Sequence, residues 1–167
     1  EHCAQLNGTD SYWHDSPCTE PLYSICKLHT NQQLETTCLA GFDSIHNQCV
    51  RLMPVATDWL SGRETCRSFG EGVDLVTIST VAESRWFSEF LLSRNFTEQV
   101  WLGLSDRAVD GVFTWADGSN ADYTNWNTTQ TPAENLNGMG DCAVADVANS
   151  GLWAAVSCAN NTRQSLC

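Results

Sequence analysis

The sequence has few basic residues: Lys and Arg total 8 against 20 Asp and Glu, which gives a formal net charge of −12. Binding to a nucleic-acid backbone, or to an anionic membrane surface, requires clustered positive charge. The sequence therefore predicts neither nucleic-acid binding nor attraction to anionic membranes. An acidic surface favours solubility, and it suits cationic partners or Ca²⁺.

Several other features are missing. The chain has no run of about 18 apolar residues and no signal peptide, so we expect no membrane insertion and interpret it as a piece of a longer precursor. It has no nucleophile elbow, no zinc-protease helix motif and no glycine-rich phosphate loop, which argues against an enzyme. The four histidines (His2, His14, His29 and His46) lack metal-ligand spacing, and no Cys-x-x-Cys pair is present.

Cysteine, in contrast, is abundant, with nine in 167 residues. This usage is typical of an oxidising compartment, so we expect a secreted or extracellular protein stapled by disulfides. Four Asn-x-Thr sequons begin at Asn7, Asn95, Asn127 and Asn160. Together they predict a glycoprotein.

The two ends of the chain repeat one pattern of cysteine and tryptophan. Cys3, Trp13, Cys18 and Cys26 are separated by 10, 5 and 8 residues, and Cys142, Trp153, Cys158 and Cys167 by 11, 5 and 9 residues. Such agreement indicates internal homology. Only the second copy has a long body before it. We therefore expect the tail of one domain at 1–27, a polar linker at 28–37 and a complete domain at 38–167.

Hydrophobic periodicity predicts an α+β layout for the complete domain. Residues 38–53 favour a hairpin whose arms carry Cys38 and Cys49, close enough for a local bridge. Residues 58–69 favour a helix with an apolar face, which Gly70 ends, and 75–78 a short strand. A capping box formed by Thr80 and Glu83 begins a second helix, with an apolar face at residues 86, 87, 90 and 91.

Strands and loops follow the second helix. Residues 100–104 are typical of a central buried strand, and 112–115 of the return strand of a hairpin that turns at Asp110 and Gly111. Residues 119–141 form a long polar loop of the kind that is usually functional or disordered. Two further strand-sized segments lie at 142–147 and 152–158.

The complete domain resembles a long-form C-type lectin-like domain over about 130 residues. The resemblance is carried by four groups of residues: the Cys38–Cys49 hairpin with Trp59 and Cys66, the segment 75–78, the segments 101–104 and 113–118, and 123–126 with the last three cysteines. It implies an α+β fold with Cys38–Cys49, Cys66–Cys167 and Cys142–Cys158 bridges. By the repeat, Cys3 would pair with Cys18.

The resemblance also implies where Ca²⁺ would bind, and those positions lack ligands. Sugar-binding members hold Ca²⁺ through three groups: residues of the long loop, an acidic residue two positions before the cysteine that follows the loop, and Asn-Asp directly after the tryptophan that corresponds to Trp153. Here Pro132 is flanked by Thr131 and Ala133, the acidic position is Gly140, and Trp153 precedes two alanines. Since Ca²⁺ takes about six to eight oxygen ligands, we expect no cofactor.

A weaker, differently placed Ca²⁺ site is the alternative, if the loop register shifts. Its candidate ligands, which also form the candidate ligand-binding loop, are Glu134, Asn135, Asn137 and Asp141. In the opening fragment, Glu1 and Asp15 are a possible remnant of a metal site in the preceding domain. The aromatic pairs Trp101/Trp115 and Trp126/Trp153 are expected to fill the core rather than to stack on a sugar.

Three functions fit these observations. The first is a calcium-independent module that binds an extracellular protein within a tandem array. The second is a lectin that binds glycans through a non-standard long-loop site. The third is a structural repeat in a disulfide-linked extracellular assembly. Fold alone does not choose among them.

We predict that Cys26 is paired with a cysteine outside this chain. Its equivalent in the complete domain, Cys167, has a helix cysteine available in Cys66, whereas no such helix precedes Cys26. Non-reducing mass spectrometry of the native material should find the Cys26 peptide joined to a peptide from a preceding segment or from another chain. A free Cys26 thiol would contradict the prediction.

Overall fold

A computed structural model describes residues 38–129 and 142–167 in full, together with the backbone of residues 2–6 and 13–17. Contacts between Cα atoms divide the chain into two units, Glu1–Gln33 and Leu34–Cys167. The predicted α+β class is confirmed, because the second unit combines two helices with antiparallel sheets and disulfides. None of the described helices has the length and apolar composition needed to cross a membrane.

The first unit contains an antiparallel hairpin of strands β1 (His2–Leu6) and β2 (Trp13–Pro17). In its register Cys3 lies opposite Ser16, and Leu6 lies opposite Trp13. Cys18, which the repeat pairs with Cys3, lies outside the described residues, and so does Cys26. The hairpin register is therefore what the structure offers for comparison with the second unit.

The second unit begins with the predicted hairpin, formed by β3 (Asp43–Ile45) and β4 (Gln48–Val50). Its two turn residues, His46 and Asn47, have positive φ angles of 46° and 67°. Two consecutive residues with positive φ match the twist of a two-residue hairpin turn. A disulfide joins Cys49, in the middle of β4, to Cys38, which precedes β3.

Helix α1 (Trp59–Arg67) begins at Asp58, whose carboxylate accepts a hydrogen bond from the Ser61 N–H at 3.0 Å. The backbone and hydroxyl hydrogen bonds from Ser61 hold the pKa of Asp58 below its usual value. The carboxylate therefore stays charged beside the positive end of the helix dipole. Trp59, Gly62 and Cys66 form the buried face, as the periodicity predicts.

Helix α2 (Val81–Ser93) has the predicted capping box, in which Thr80 and Glu83 each bond the other residue's backbone N–H. Its buried face is Ser84, Phe87, Phe90 and Leu91. Trp86, expected on that face, is only half buried. It lies at the helix edge, and its ring stacks on the exposed His46 with 3.9 Å between centroids.

One sheet organises the rest of the unit. Its strands are β5 (Gln99–Ser105), β6 (Thr114–Trp115), β7 (Cys142–Asp146), β8 (Leu152–Val156) and β9 (Gln164–Ser165). They lie in the order β6-β5-β7-β8, and β9 also pairs with β5. Every pairing is antiparallel except that of β9, which runs parallel to the beginning of β5. Strand β5 is therefore central, as predicted.

The predicted strand at 75–78 is not a strand in the structure. Leu75 and Val76 are buried, but within the described residues only Val76 of this segment makes backbone bonds to the neighbouring segments. Its N–H donates to the Leu166 carbonyl and its carbonyl accepts from the Gly103 N–H, at 2.8 and 2.9 Å. The segment crosses Gly103 so closely that a Cβ there would lie 2.8 Å from the Leu75 carbonyl oxygen. It is a buried connection fastened at one residue.

Three disulfides fasten the unit, and they join the same pairs that the family resemblance implies. Cys66 on α1 bonds Cys167, which lies 101 residues later, and Cys142 on β7 bonds Cys158 after β8. All six cysteines of the unit are therefore paired with one another. In the chain-entropy model a long closed loop contributes about 4–5 kcal/mol by restricting the unfolded chain.

Replacing Gly103 with Ala should destabilise the second unit by about 2 kcal/mol, because backbone atoms of Leu75 and Val76 must move to admit a methyl group. Thermal unfolding should show a melting temperature lower by several degrees. Gly118→Ala is the control: its φ is +87° but no atom lies within 4 Å, so the cost should be about half as large. Equal losses in the two variants would contradict the close approach.

Candidate functional site

The region where the resemblance places ligand binding is built on strand β8. Trp153 on this strand is fully buried, and three aromatic rings meet it edge to face: Trp115, Tyr123 and Trp126, with centroid distances of 5.6 to 5.7 Å. Trp101 is also fully buried. Trp101 belongs to a separate buried cluster with Trp59, whereas the other rings pack on Trp153. Among them only Tyr123 and Trp126 retain partial exposure.

The start of the long loop is held against the free edge of β8. The Trp153 N–H donates to the Asn125 carbonyl, and the Asn127 N–H donates to the Trp153 carbonyl, each at 2.8 Å. The Asn125 side-chain amide also donates to the Gly151 carbonyl at 3.0 Å. Residues 125–127 are therefore positioned by hydrogen bonds to Gly151 and to Trp153, the residue directly before the two alanines on β8.

Ala154 and Ala155 follow Trp153 on β8 and lie opposite Val144 and Ala143 of β7. Ala154 is 9 % exposed and packs in the buried cluster that includes Cys142 and Cys158. Neither alanine has a side-chain oxygen, whereas Ca²⁺ is held by carboxylates, amides, carbonyls and water. The side chains of β8 therefore do not fit a calcium site of the kind that the resemblance implies.

The predicted loop ligands Glu134, Asn135, Asn137 and Asp141 lie outside the described residues, and so does Glu1. Asp15 is placed on β2 opposite Ala4, but only its backbone is described. Among residues 38–129 and 142–167, no group of three or more His, Cys, Asp or Glu side chains is close enough together to hold a metal ion. The ligand set predicted for the long loop and for the opening fragment therefore stays a prediction.

The sequons differ in exposure. Asn95 follows α2 in a left-handed conformation and is exposed, and Asn160, in the loop before β9, is also exposed. Asn127 is 8 % exposed, and its side-chain oxygen accepts hydrogen bonds from the N–H and hydroxyl of Thr129, the last residue of its own sequon. Asn7 lies outside the described residues.

A second candidate site was not predicted from the sequence. A cavity of about 430 Å³, here called the acidic groove, lies between the β3–β4 hairpin, the segment 72–79 and the start of α2. Three carboxylates line it: Asp74, Glu83 and Asp117. Because its walls come from segments far apart in the chain, no local sequence motif predicts the groove. The sequence identified Glu83 only as a capping residue.

The sequence matches a known family model. The model of the lectin C-type domain matches residues 55–167, which is more than half of the chain. Lymphocyte antigen 75 from Homo sapiens is 25 % identical over 165 residues, covering 93 % of this chain and 9 % of that protein. C-type mannose receptor 2 from Rattus norvegicus is 28 % identical over 173 residues, covering 100 % of this chain and 11 % of that protein. The chain therefore spans about a tenth of the length of these relatives.

Solved structures share the fold. The C-type lectin CEL-I from Cucumaria echinata has a TM-score of 0.68 at 24 % identity, covering 78 % of this chain and 95 % of that chain. A calcium-independent type II antifreeze protein has a TM-score of 0.65 at 23 % identity, covering 78 % and 92 % of the two chains. At these identities the similarity establishes the fold alone.

We expect Asn95 and Asn160 to carry N-linked glycans in secreted material, with lower occupancy at Asn127, whose side chain is buried and engaged. Glycopeptide mapping after expression in a mammalian cell line measures each site. Thr97→Ala and Thr162→Ala should each remove one glycan, whereas Thr97→Ser should keep it because the sequon is preserved. Full occupancy at Asn127 with bare Asn95 and Asn160 would contradict this order.

Proposed function

Because the chain belongs to the lectin C-type domain family, we propose that residues 38–167 form an extracellular recognition module that binds a protein partner without calcium. Members of this family are binding modules and not enzymes, in agreement with the missing catalytic motifs. Nine cysteines and four sequons support a location outside the cell. The partner and the calcium independence are the parts proposed here.

The alanine pair on β8 is the observation that carries this proposal. Ala154 and Ala155 stand where the resemblance places two oxygen ligands, and Ala154 is buried among other apolar side chains. In the sequence, Gly140 and the two residues that flank Pro132 also lack a carboxylate or amide where the resemblance places further ligands. Without a cation, two vicinal sugar hydroxyls lose the coordination that would hold them. The name of one structural neighbour, a calcium-independent antifreeze protein, is consistent with a fold of this kind working without the ion.

A protein partner is favoured by the character of the described surface. Of the four tryptophans that could stack on a sugar, three are buried and one keeps only partial exposure: Trp101, Trp115 and Trp153 are buried, and Trp126 is partly exposed. The connection between β5 and β6 instead exposes two apolar side chains, Val109 at 59 % and Val112 at 53 %. Apolar side chains on a surface contribute to protein–protein contact, whereas a sugar offers mostly hydroxyl groups to bind.

The opening hairpin supports the proposal that residues 1–27 end a preceding copy of the same domain. Cys3 lies opposite Ser16 and Leu6 opposite Trp13, just as Cys142 lies opposite Val156 and Ala145 opposite Trp153. When the two cysteine–tryptophan patterns are aligned, each of these pairs falls on its equivalent. Relatives that match 93 % to 100 % of the chain are consistent with a tandem arrangement.

Glycan binding is the second candidate function. It is favoured by the name of one relative, C-type mannose receptor 2, because that name refers to the sugar mannose. On this reading the long loop would supply a non-standard site through Glu134, Asn135, Asn137 and Asp141. A glycan array read with and without a chelator distinguishes it, because a calcium-dependent lectin loses its signal when the ion is removed.

We predict that Ca²⁺ does not stabilise the complete domain. An ion bound at a concentration about 100 times its Kd would raise the free energy of unfolding by about 2.7 kcal/mol and shift the melting temperature measurably. We therefore expect the same melting temperature in millimolar Ca²⁺ and in chelator, and no saturable heat in a calorimetric titration.

The paired variants Glu134→Gln and Asp141→Asn test the alternative loop site, with Asp122→Asn as a control of equal charge change outside the loop candidates. If Ca²⁺ stabilises the parent protein and the two loop variants lose that effect while the control keeps it, calcium independence is wrong. A chelator-sensitive glycan signal would favour the second function.

A further inference from the structure

Two of the three carboxylates in the acidic groove, Glu83 and Asp117, form no salt bridge with a described residue. Asp74 is paired with Arg63, whose guanidinium donates to it at 2.9 to 3.1 Å. Glu83 and Asp117 accept hydrogen bonds only from neutral groups. The described lining residues include no Lys, Arg or His. The groove therefore presents net negative charge to its surroundings.

The Glu83 carboxylate is fixed in position. One oxygen accepts from the Gln48 side-chain amide at 3.1 Å, and the other accepts from the backbone N–H groups of Ser79 and Thr80 at 2.7 and 3.1 Å. The carboxylate is thus held between the β3–β4 hairpin and the start of α2. A charge already held in place loses little conformational freedom when a partner binds it.

Asp117 is fixed in a similar way, in part by Thr77 of the segment 72–79. Ser119 donates to one carboxylate oxygen from its N–H and its hydroxyl, and Thr77 donates to the other at 2.8 Å. Burial raises the pKa of Asp117, but the hydrogen bonds from Ser119 and Thr77 outweigh it and leave the pKa below its usual value. The carboxylate is therefore ionised at neutral and mildly acidic pH.

Between these carboxylates the groove is lined largely by apolar groups. Its lining includes Leu39, which is 52 % exposed, Phe42 and Val73, together with the buried Leu75 and Val76. Two disulfides border it through Cys38, Cys49 and Cys167, so the walls are cross-linked. Arg51, a nearby cation, is stacked on Phe42 and Phe69 instead of lining the groove.

We propose that the acidic groove docks a short basic segment of an extracellular protein, with an Arg or Lys side chain on Glu83 or Asp117 and an adjacent apolar side chain on Leu39 and Phe42. The inference rests on the proposed protein-binding function and names the chemistry of its partner. A second copy of this chain is a poor occupant, since it carries a net charge of the same sign, −12.

The test uses two peptides, acetyl-Leu-Arg-Leu-amide and its citrulline analogue, which keeps the shape of the arginine side chain but removes its charge. Each is titrated into the ¹⁵N-labelled full chain and followed by amide chemical shifts. The arginine peptide should shift the amides of Thr77, Ser79 and Asp117, with an affinity about fivefold above that of the citrulline peptide. Raising the salt to about 0.5 M should remove most of that difference.

Asp117→Asn and Glu83→Gln remove each charge while retaining acceptor oxygens, and Gln at position 83 preserves the capping box. Each should reduce the preference for arginine over citrulline. Asp110→Asn is the matched control, because it makes the same charge change at an exposed residue outside the groove lining and should leave the preference intact. Melting temperatures of the three variants verify that each remains folded.

Three outcomes would overturn the proposal. They are no shifts in the groove amides, equal binding of the two peptides, or an equal loss in Asp110→Asn, which would indicate attraction to net charge alone. None of these outcomes bears on calcium independence, because the titrations contain no Ca²⁺. Failure of the groove proposal is therefore distinguishable from failure of the proposed function.

Discussion

The close approach of Leu75 and Val76 to Gly103 is the constraint on which the rest of the second unit depends. The Val76 carbonyl accepts from the Gly103 N–H while its own N–H donates to Leu166, so one residue links the central strand to the last residues of the unit. A side chain at position 103 would separate these backbones. The same connection continues into the wall of the acidic groove, which Leu75, Val76 and Thr77 line.

Local signals in the sequence were sufficient for the elements that local physics determines. The capping box at Thr80 and Glu83 is a reciprocal pair of bonds within four residues, and it begins α2 where predicted. The failures concern tertiary context. Nothing in the residues 75–78 reveals that neighbouring chain segments bond only Val76, and periodicity alone cannot show that Trp86 stacks on a histidine from another element. In both cases the outcome depends on residues that are distant in the sequence and close in the fold.

The candidate site divides along the same line. The absence of oxygen ligands after Trp153 is legible in the sequence, because it concerns which atoms the side chains have. That Ala154 packs into a buried cluster required the fold. The acidic groove required it entirely, since Glu83 and Asp117 lie 34 residues apart and meet one groove only after the hairpin, α2 and the turn following β6 are assembled. Residue chemistry is readable one position at a time, whereas shared surfaces are not.

The parallel pairing of β9 with β5 has a consequence for how the protein is made. Val100 and Trp101 pair with Gln164 and Ser165, so the central strand acquires the last of its partners about 60 residues after β5 itself has been synthesised. Contacts this distant in sequence slow the folding of a domain because a large loop must close first. Residues Val100 and Trp101 therefore lack their β9 partners until residues 164 and 165 have been made, although β6 and β7 are available to β5 earlier. Apolar strand edges that wait for a late partner are the kind of surface that chaperones protect in nascent domains.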